Sequence, residues 1–479
     1  MITVIGLGVE KGDVTKRGEE MILTAVKAGC PIVVRTANTV SYQTVQELGV
    51  PHTTLDSVYE ASRNFATLAK NLAKAVTDCG ENTVYLVDGA ATEDNSVKAL
   101  IKRTRGKIQI IDGVSKVTAL VQAAGFVGCS YTAVSAYELA EKAASGNLAL
   151  PLIVYDLDDG GLASDVKLLL GDLYGEETQA RYLCGGVSKK IPLYELDWQK
   201  KYDYTSAVAI EEIDLLQKQR FSLDDLHEIV VRLRKPNGCP WDRAQTNDSI
   251  KMSAVEEAYE LVDAIDQNDD EKILEETGDL LLQVVFHAVM KGETGAFNLT
   301  DVLTGICEKL ISRHTHVFGE DKATDGESAL SVWEKNKMTE KHQVTYADAV
   351  NDVPLCFPAA MRAQKIGKRA SKAGMDFATV EAAAARLQEE ITEFLTAYQK
   401  GGGVETEKEL GDVLFAAVNV GRKAGCDCEK ALKESVDRFA RRFTLAEAKA
   451  LADGKDVTKL SDEEWDGYYR AAKVELKKQ

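Results

Sequence analysis

The residues best placed to do chemistry in this sequence are acidic, and they occur twice in the same spacing. Glu256-Glu257-Ala258-Tyr259-Glu260 recurs as Glu389-Glu390-Ile391-Thr392-Glu393, and Glu276-Thr277-Gly278-Asp279 recurs as Glu409-Leu410-Gly411-Asp412. The offset is the same for both motifs, from 256 to 389 and from 279 to 412. A repeat this long is a duplicated helical domain, not a short solenoid unit. On a helix, residues three apart project from neighbouring turns of one face. Glu257 with Glu260, and Glu390 with Glu393, therefore form oxygen clamps. Glu276 with Asp279, and Glu409 with Asp412, repeat the spacing on a second helix, and two antiparallel helices gather four carboxylates around one cleft.

Such crowding opposes folding unless a cation relieves it, because like charges at close range raise each other's pKa. A hard divalent ion does so. Magnesium takes oxygen ligands, keeps several waters and is commonly shared between carboxylates and substrate phosphates; manganese is the alternative ion, and zinc suits the donor set less well. An ion held this way activates water and polarises a phosphoanhydride oxygen. A single Glu-rich helix face is usually solvated surface, but two motifs at a matched offset point to a built centre.

The elements that must hold these acids are helices. Beyond about Leu215, strand-like runs give way to apolar residues at three- and four-residue spacing, as in Leu226–Leu233 and Val255–Ile265. Loops are marked by Lys235-Pro236-Asn237-Gly238-Cys239-Pro240, by the proline-containing stretch at 352–358, which separates the two helical units, and by Gly401-Gly402-Gly403. Before residue 210 the texture differs. Apolar runs at Ile2–Leu7, Ile32–Val34, Val84–Val87, Ile108–Ile111 and Leu152–Tyr155 alternate with helical patterns, which predicts an α/β domain. Gly6, Gly8, Gly12 and Gly18 lie near the first strand without the spacing of a dinucleotide fingerprint.

Composition narrows the function classes. A chain of 479 residues exceeds one core, and 45% hydrophobic with 28% charged residues is ordinary for a soluble globular protein. The formal charge of −18 disfavours nucleic acid polymers and anionic membranes. No membrane span or secretion signal is read, which predicts a cytoplasmic location. Nine scattered cysteines give no disulfide framework, and Cys426 with Cys428 lacks the second pair of a structural zinc site.

The C-terminal half resembles the MazG nucleoside triphosphate pyrophosphohydrolases. The likeness is carried by Gly238-Cys239-Pro240-Trp241-Asp242, by EExYELVDAI at 256–265, GDLLLQVVFH at 278–287 and RHxHVFG at 313–319, and it continues through the second copy. The resemblance implies an all-α fold, a homodimer, and nucleoside triphosphates bound between carboxylate-bearing helices with magnesium bridging them. It implies metal ligation by Glu390, Glu393, Glu409 and Asp412, with Glu257, Glu260, Glu276 and Asp279 as counterparts. Glu389, with Glu256 in the first copy, is the candidate for orienting or deprotonating the attacking water. Arg386, Arg438, Arg441 and Arg442 are candidates for the phosphates, and Tyr469 and Trp241 for stacking on a base. Trp241 equally fits a core-closing role. Val436 and Arg438 stand where the family commonly has asparagine and lysine, and Tyr469 where it often has tryptophan. The second copy is favoured as the competent one.

The N-terminal half resembles the tetrapyrrole methylases, through IGLGxxxGDVTxRGxEMI at 5–22 and Ile111-Asp112-Gly113-Val114-Ser115. That likeness implies S-adenosylmethionine near Gly6 and Gly8. The family's GDP-like loop is replaced here by Asp88-Gly89-Ala90-Ala91, and Val9-Glu10 stands where proline-glycine is usual, so a retained fold with a regulatory or scaffold role is preferred. The expectation is a tetrapyrrole methylase-like α/β domain at 1–212, then MazG-like all-α repeats at 222–342 and 350–479. The predicted reaction is magnesium-dependent hydrolysis of nucleoside triphosphates to monophosphate and pyrophosphate. The rival readings are a methyltransferase with a helical dimerisation region and a non-catalytic nucleotide-sensing scaffold.

Overall fold

Strands that are buried on both faces read as continuous apolar runs, and parallel sheets are built from them. In the computed structural model β1 (Ile2–Gly6), β2 (Ile32–Val34), β3 (Thr53–Thr54), β4 (Val84–Val87) and β5 (Ile108–Ile111) form one parallel sheet in the order β3-β2-β4-β1-β5. Alternate side chains serve opposite faces: Val4, Tyr85 and Val87 join one core, and Ile5, Leu86 and Val34 the other. The structure describes residues 1–62, 65–146, 148–340 and 345–477. The predicted domain limits at 342 and 479 lie outside the described residues.

A second sheet contains β6 (Thr132–Ser135), β7 (Leu152–Tyr155), β8 (Gln179–Cys184), β9 (Val187–Pro192) and β10 (Ala207–Ile210), in the order β6-β7-β10-β8-β9. Only β6 and β7 run parallel. Gly185 and Gly186 both adopt positive φ at the β8–β9 hairpin, which a two-residue turn of this hand requires.

Near β1 the glycines bring chain against chain. A Cβ on Gly6 would lie 2.5 Å from both the Gly113 nitrogen and the Gly89 oxygen. Gly8, at φ 78°, forms a β-bridge with Gly89. Gly6 is thus required by close backbone packing, and Gly8 by its positive φ and the approach of Asp13. From β2, Arg35 reaches Asp88 at 2.6 Å and Asp94 at 2.8 Å. Burial pushes the Asp88 carboxyl up, but the charges of Arg35 and then Lys116 outweigh it and hold it below the usual carboxylate range.

The chain divides into two compact units, Met1–Leu299 and Thr300–Gln479, and each contains one helical hairpin that carries acids. In the first unit, helices Ser253–Gln267 and Asp270–Glu293 pack together. Their joint is minimal: Asn268 in the left-handed region at φ 54°, then Asp269, whose side chain caps the second helix at Lys272 N. In the second unit, helices Val380–Gln399 and Val404–Lys423 pack together across Lys400 and three glycines, all at positive φ. Helix Ala359–Ser371 packs on Val404–Lys423 where Gly367 leaves room; a Cβ there would sit 2.8 Å from the Arg422 Nε.

Replacing Arg35 with alanine leaves two acids facing each other with their cation gone, which costs about 3–5 kcal/mol for a buried pair. We expect a lower urea midpoint for Arg35→Ala at neutral pH. A carboxyl with a depressed native pKa stabilises the fold above its unfolded value and loses that contribution as pH falls through the native one. The deficit of the variant therefore narrows below about pH 4, and a deficit of equal size across the acid range would contradict the assignment.

Candidate active site

The spacing of the acids on each first helix and the short joint behind it bring the two motifs of each copy face to face. In the first copy, one carboxylate oxygen from each of Glu257, Glu260 and Glu276 lies within 4.8 Å of the others; in the second, Glu390, Glu393 and Glu409 do the same. Each set is three hard oxygen donors on two helices, with a geometry that fits a divalent ion such as magnesium. Asp279 and Asp412 lie one turn further along and outside these triads.

The two centres differ in charge balance. Among the described residues, no ion pair reaches Glu257, Glu260, Glu276 or Asp279. Partial burial, then the charges of Asp279 and Glu260, push the Glu257 carboxyl up, and burial followed by the charges of Glu260 and Glu275 does so for Glu276. The second centre is more enclosed, with Glu390 and Glu409 buried. It also carries its own cations. Arg386 spans Glu389 at 2.9 Å and Glu390 at 2.6 Å, and Lys408 lies 3.1 Å from Glu409 and 3.4 Å from Glu405. Sequence reasoning named Arg386 but missed Lys408, although a lysine directly before the ligand glutamate was a legible signal.

Along helix Cys428–Ala452, Arg438 and Arg441 are exposed and Arg442 is half-buried. Arg438 pairs loosely with Glu434 at 3.4 Å, and the Arg442 guanidinium lies 6.0 Å from the centre of the Tyr469 ring. Tyr469 belongs to a row of aromatics: Phe439 lies 5.9 Å from it, Phe443 lies 6.4 Å from Phe439, and Trp465 stacks on Phe443 at 5.4 Å. Sequence reading singled out Tyr469 alone, since the rest of the row reads equally well as core. Trp241, on the short helix Pro240–Ala244, is 65% exposed and so closes no core. Glu256 and Glu389, the candidate bases, are both exposed beside their triads. His314 and His316 lie in ring contact at 5.7 Å, and the His314 Nδ1 is 2.7 Å from the Leu310 carbonyl.

The α/β part has a cleft of about 1010 Å³ lined by Arg35, Asp88, Lys116, Asp156 and Asp158 among others. Lys116 pairs with Asp156 at 2.5 Å. Tyr137 donates to Asp158 at 2.9 Å, and burial pushes that carboxyl up to about 6. Of the residues expected to bear a cofactor, Gly6 packs against the backbone of Gly113 and Gly89, and Gly8 against Asp13.

Fold and site together define an α/β protein extended by helical hairpins, each with a carboxylate triad at its centre. The profile of the MazG nucleotide pyrophosphohydrolase domain matches residues 245–318 and 378–444. The nucleoside triphosphate pyrophosphohydrolase of Escherichia coli (strain K12) is 41% identical over 241 residues, 49% of this chain and 91% of that protein. The uncharacterised protein YabN of Bacillus subtilis (strain 168) is 31% identical over 98% of both chains, α/β part included. The chain belongs to the MazG family. Among solved structures, a diphthine synthase aligns over 44% of this chain and 89% of its own, at 18% identity and a TM-score of 0.31. The α/β assignment rests on the strand order itself. No described helix is long and apolar enough to cross a membrane.

The repulsion in the first triad has a measurable sign. A carboxyl whose native pKa is raised favours the folded state only while protonated, so stability falls as pH rises through the ordinary carboxylate range and stays lower above the raised value. The Glu257→Gln, Glu276→Gln double variant is expected to melt higher than the parent in EDTA at neutral pH and to melt with the parent near pH 4, roughly the carboxylate pKa. Circular dichroism melts that showed the variant less stable at neutral pH would contradict this.

Proposed function

We propose that the protein hydrolyses nucleoside triphosphates to nucleoside monophosphate and pyrophosphate, as a cytoplasmic, magnesium-dependent enzyme of nucleotide-pool housekeeping. The observation that carries this reading is the pair of carboxylate triads, each with oxygens within 4.8 Å on a two-helix frame. Membership of the MazG family supports it. The ligand set is Glu390, Glu393, Glu409 and Asp412 in the second copy, and Glu257, Glu260, Glu276 and Asp279 in the first; manganese is the natural substitute ion. When bound, the ion supplies charge stabilisation to the triphosphate and lowers the pKa of a coordinated water.

The protein's own groups complete the chemistry. Glu389, exposed beside the triad and tethered by Arg386, accepts the proton of the water whose oxygen attacks the α-phosphorus. The bond from that phosphorus to the bridging oxygen breaks, and pyrophosphate leaves with the electron pair. Arg438, Arg441 and Arg442 meet the phosphates, and the aromatic row ending at Tyr469 offers a stacking face for the base. This constellation favours the second copy, because at the repeat offset Arg438 and Arg442 correspond to Gly305 and Lys309. The α/β part is assigned a scaffold or regulatory role.

Pyrophosphate release from a panel of ribo- and deoxyribonucleotides with magnesium tests the reading. Glu393→Ala is expected to cut turnover by about a hundredfold or more, a typical cost of losing electrostatic stabilisation, while Glu260→Ala retains most of it. A methyltransferase with a helical dimerisation region would be indifferent to Glu390→Ala, and a sensor would bind triphosphate without releasing pyrophosphate; either result overturns the proposal.

The helical hairpins also support a homodimer. Leu395, Leu410 and Leu414 are 49%, 44% and 60% exposed on the second hairpin, and an apolar face of this kind marks an association surface. The Leu395→Asp, Leu414→Asp variant is expected to sediment as a monomer where the parent sediments as a dimer; a parent that is monomeric at micromolar concentration would contradict the assignment.

A further inference from the structure

The two triads share their ligand pattern and differ in what surrounds it. At the repeat offset, Arg386 corresponds to Ser253 and Lys408 to Glu275. Two cations tethered in the second copy are thus replaced in the first by a neutral residue and an additional acid. Arg386 and Lys408 each pair with a carboxylate of the triad, Glu390 at 2.6 Å and Glu409 at 3.1 Å. Both glutamates are buried, while the Arg386 and Lys408 side chains are 45% and 63% exposed and so free to swing away.

We propose that Arg386 and Lys408 are internal counter-ions that make divalent-ion loading of the second triad depend on nucleotide, whereas the first triad loads the ion by itself. The inference rests on the pyrophosphohydrolase reading and deepens it. An ion entering the second triad competes with two cations already paired to its buried glutamates. A polyphosphate removes that obstacle, because its oxygens are acceptors to which the long Arg386 and Lys408 side chains can turn, freeing Glu390 and Glu409. Ion and nucleotide then favour each other's binding, and the coupling is reciprocal. The first triad has no such competitor. Its three acids attract an ion at once, but Ser253 and Glu275 give an incoming polyanion no cation to meet.

Divalent binding, read by the electron paramagnetic resonance of free manganese in titrations of the full chain, separates the two centres without using turnover. One manganese per chain is expected without nucleotide, and it is lost in Glu260→Gln and kept in Glu393→Gln. A second is expected once the non-hydrolysable analogue with a methylene between the α and β phosphorus atoms is present, and it is lost in Glu393→Gln. The Arg386→Ala, Lys408→Ala variant should load its second triad without nucleotide, with an affinity gain of about tenfold per cation, the low end of a charge effect at such range. The reciprocal Ser253→Arg, Glu275→Lys variant should weaken the first site while its circular dichroism matches the parent. Equal loading of both triads without nucleotide, or an unchanged second site in the double alanine variant, would sink the proposal and leave the enzymatic reading standing. Absence of manganese from both triads, with and without analogue, would sink both.

Discussion

Like charges held close together are the constraint on which the helical half of this protein is organised. Helix pairing fixes the backbone positions from which Glu257, Glu260 and Glu276 project toward one another, so their carboxylates are held in reach of one another by the packing of the hairpin. Fold stability and chemical capacity are therefore opposed at the same atoms, as is common where a site is preorganised for a charge it does not itself contain. The two copies resolve the opposition differently. One leaves the repulsion in place, and the other answers it with Arg386 and Lys408. Duplication makes the divergence tolerable, since one copy can keep the ligand pattern while the other adjusts its surroundings.

The α/β part solves a charge problem of its own by enclosure. Arg35 bridges Asp88 and Asp94 beside a large cleft, and Lys116 pairs with Asp156 on the same cleft. The tight turn after β1 is filled by backbone from Gly89 and Gly113. A glycine there is explained by the approach of two chains, which shows why a glycine-rich turn in a sequence is weak grounds for a bound cofactor.

Much of this organisation could be read from the chain. The runs forming β1, β2, β4, β5 and β7 are predominantly apolar, interrupted by Thr3 and Gln109, and such runs stand out in the sequence. Five strands escaped: β3 spans two threonines, β9 places Ser188, Lys189 and Lys190 in solvent, β6 and β8 mix polar with apolar residues, and β10, four apolar buried residues, was passed over. The triads were legible because their spacing is a local property of helices and the duplication checks it. Lys408, directly before Glu409, was legible but passed over, and of the aromatic row only Tyr469 was singled out, since the contact of Phe439 with Tyr469 across helices leaves no local periodicity. Gly367 belongs with them, for its meaning lies in the Arg422 side chain it admits.

The joints of the two hairpins carry a consequence for substitution. Asn268 and Asp269 tie the first pair with hardly any slack. The second pair is strung on Gly401, Gly402 and Gly403, residues without side chains to stiffen them and with a broad range of backbone torsion. A side chain at any of those three glycines would strain a positive-φ backbone, whereas in the first hairpin Asn268 alone carries that requirement.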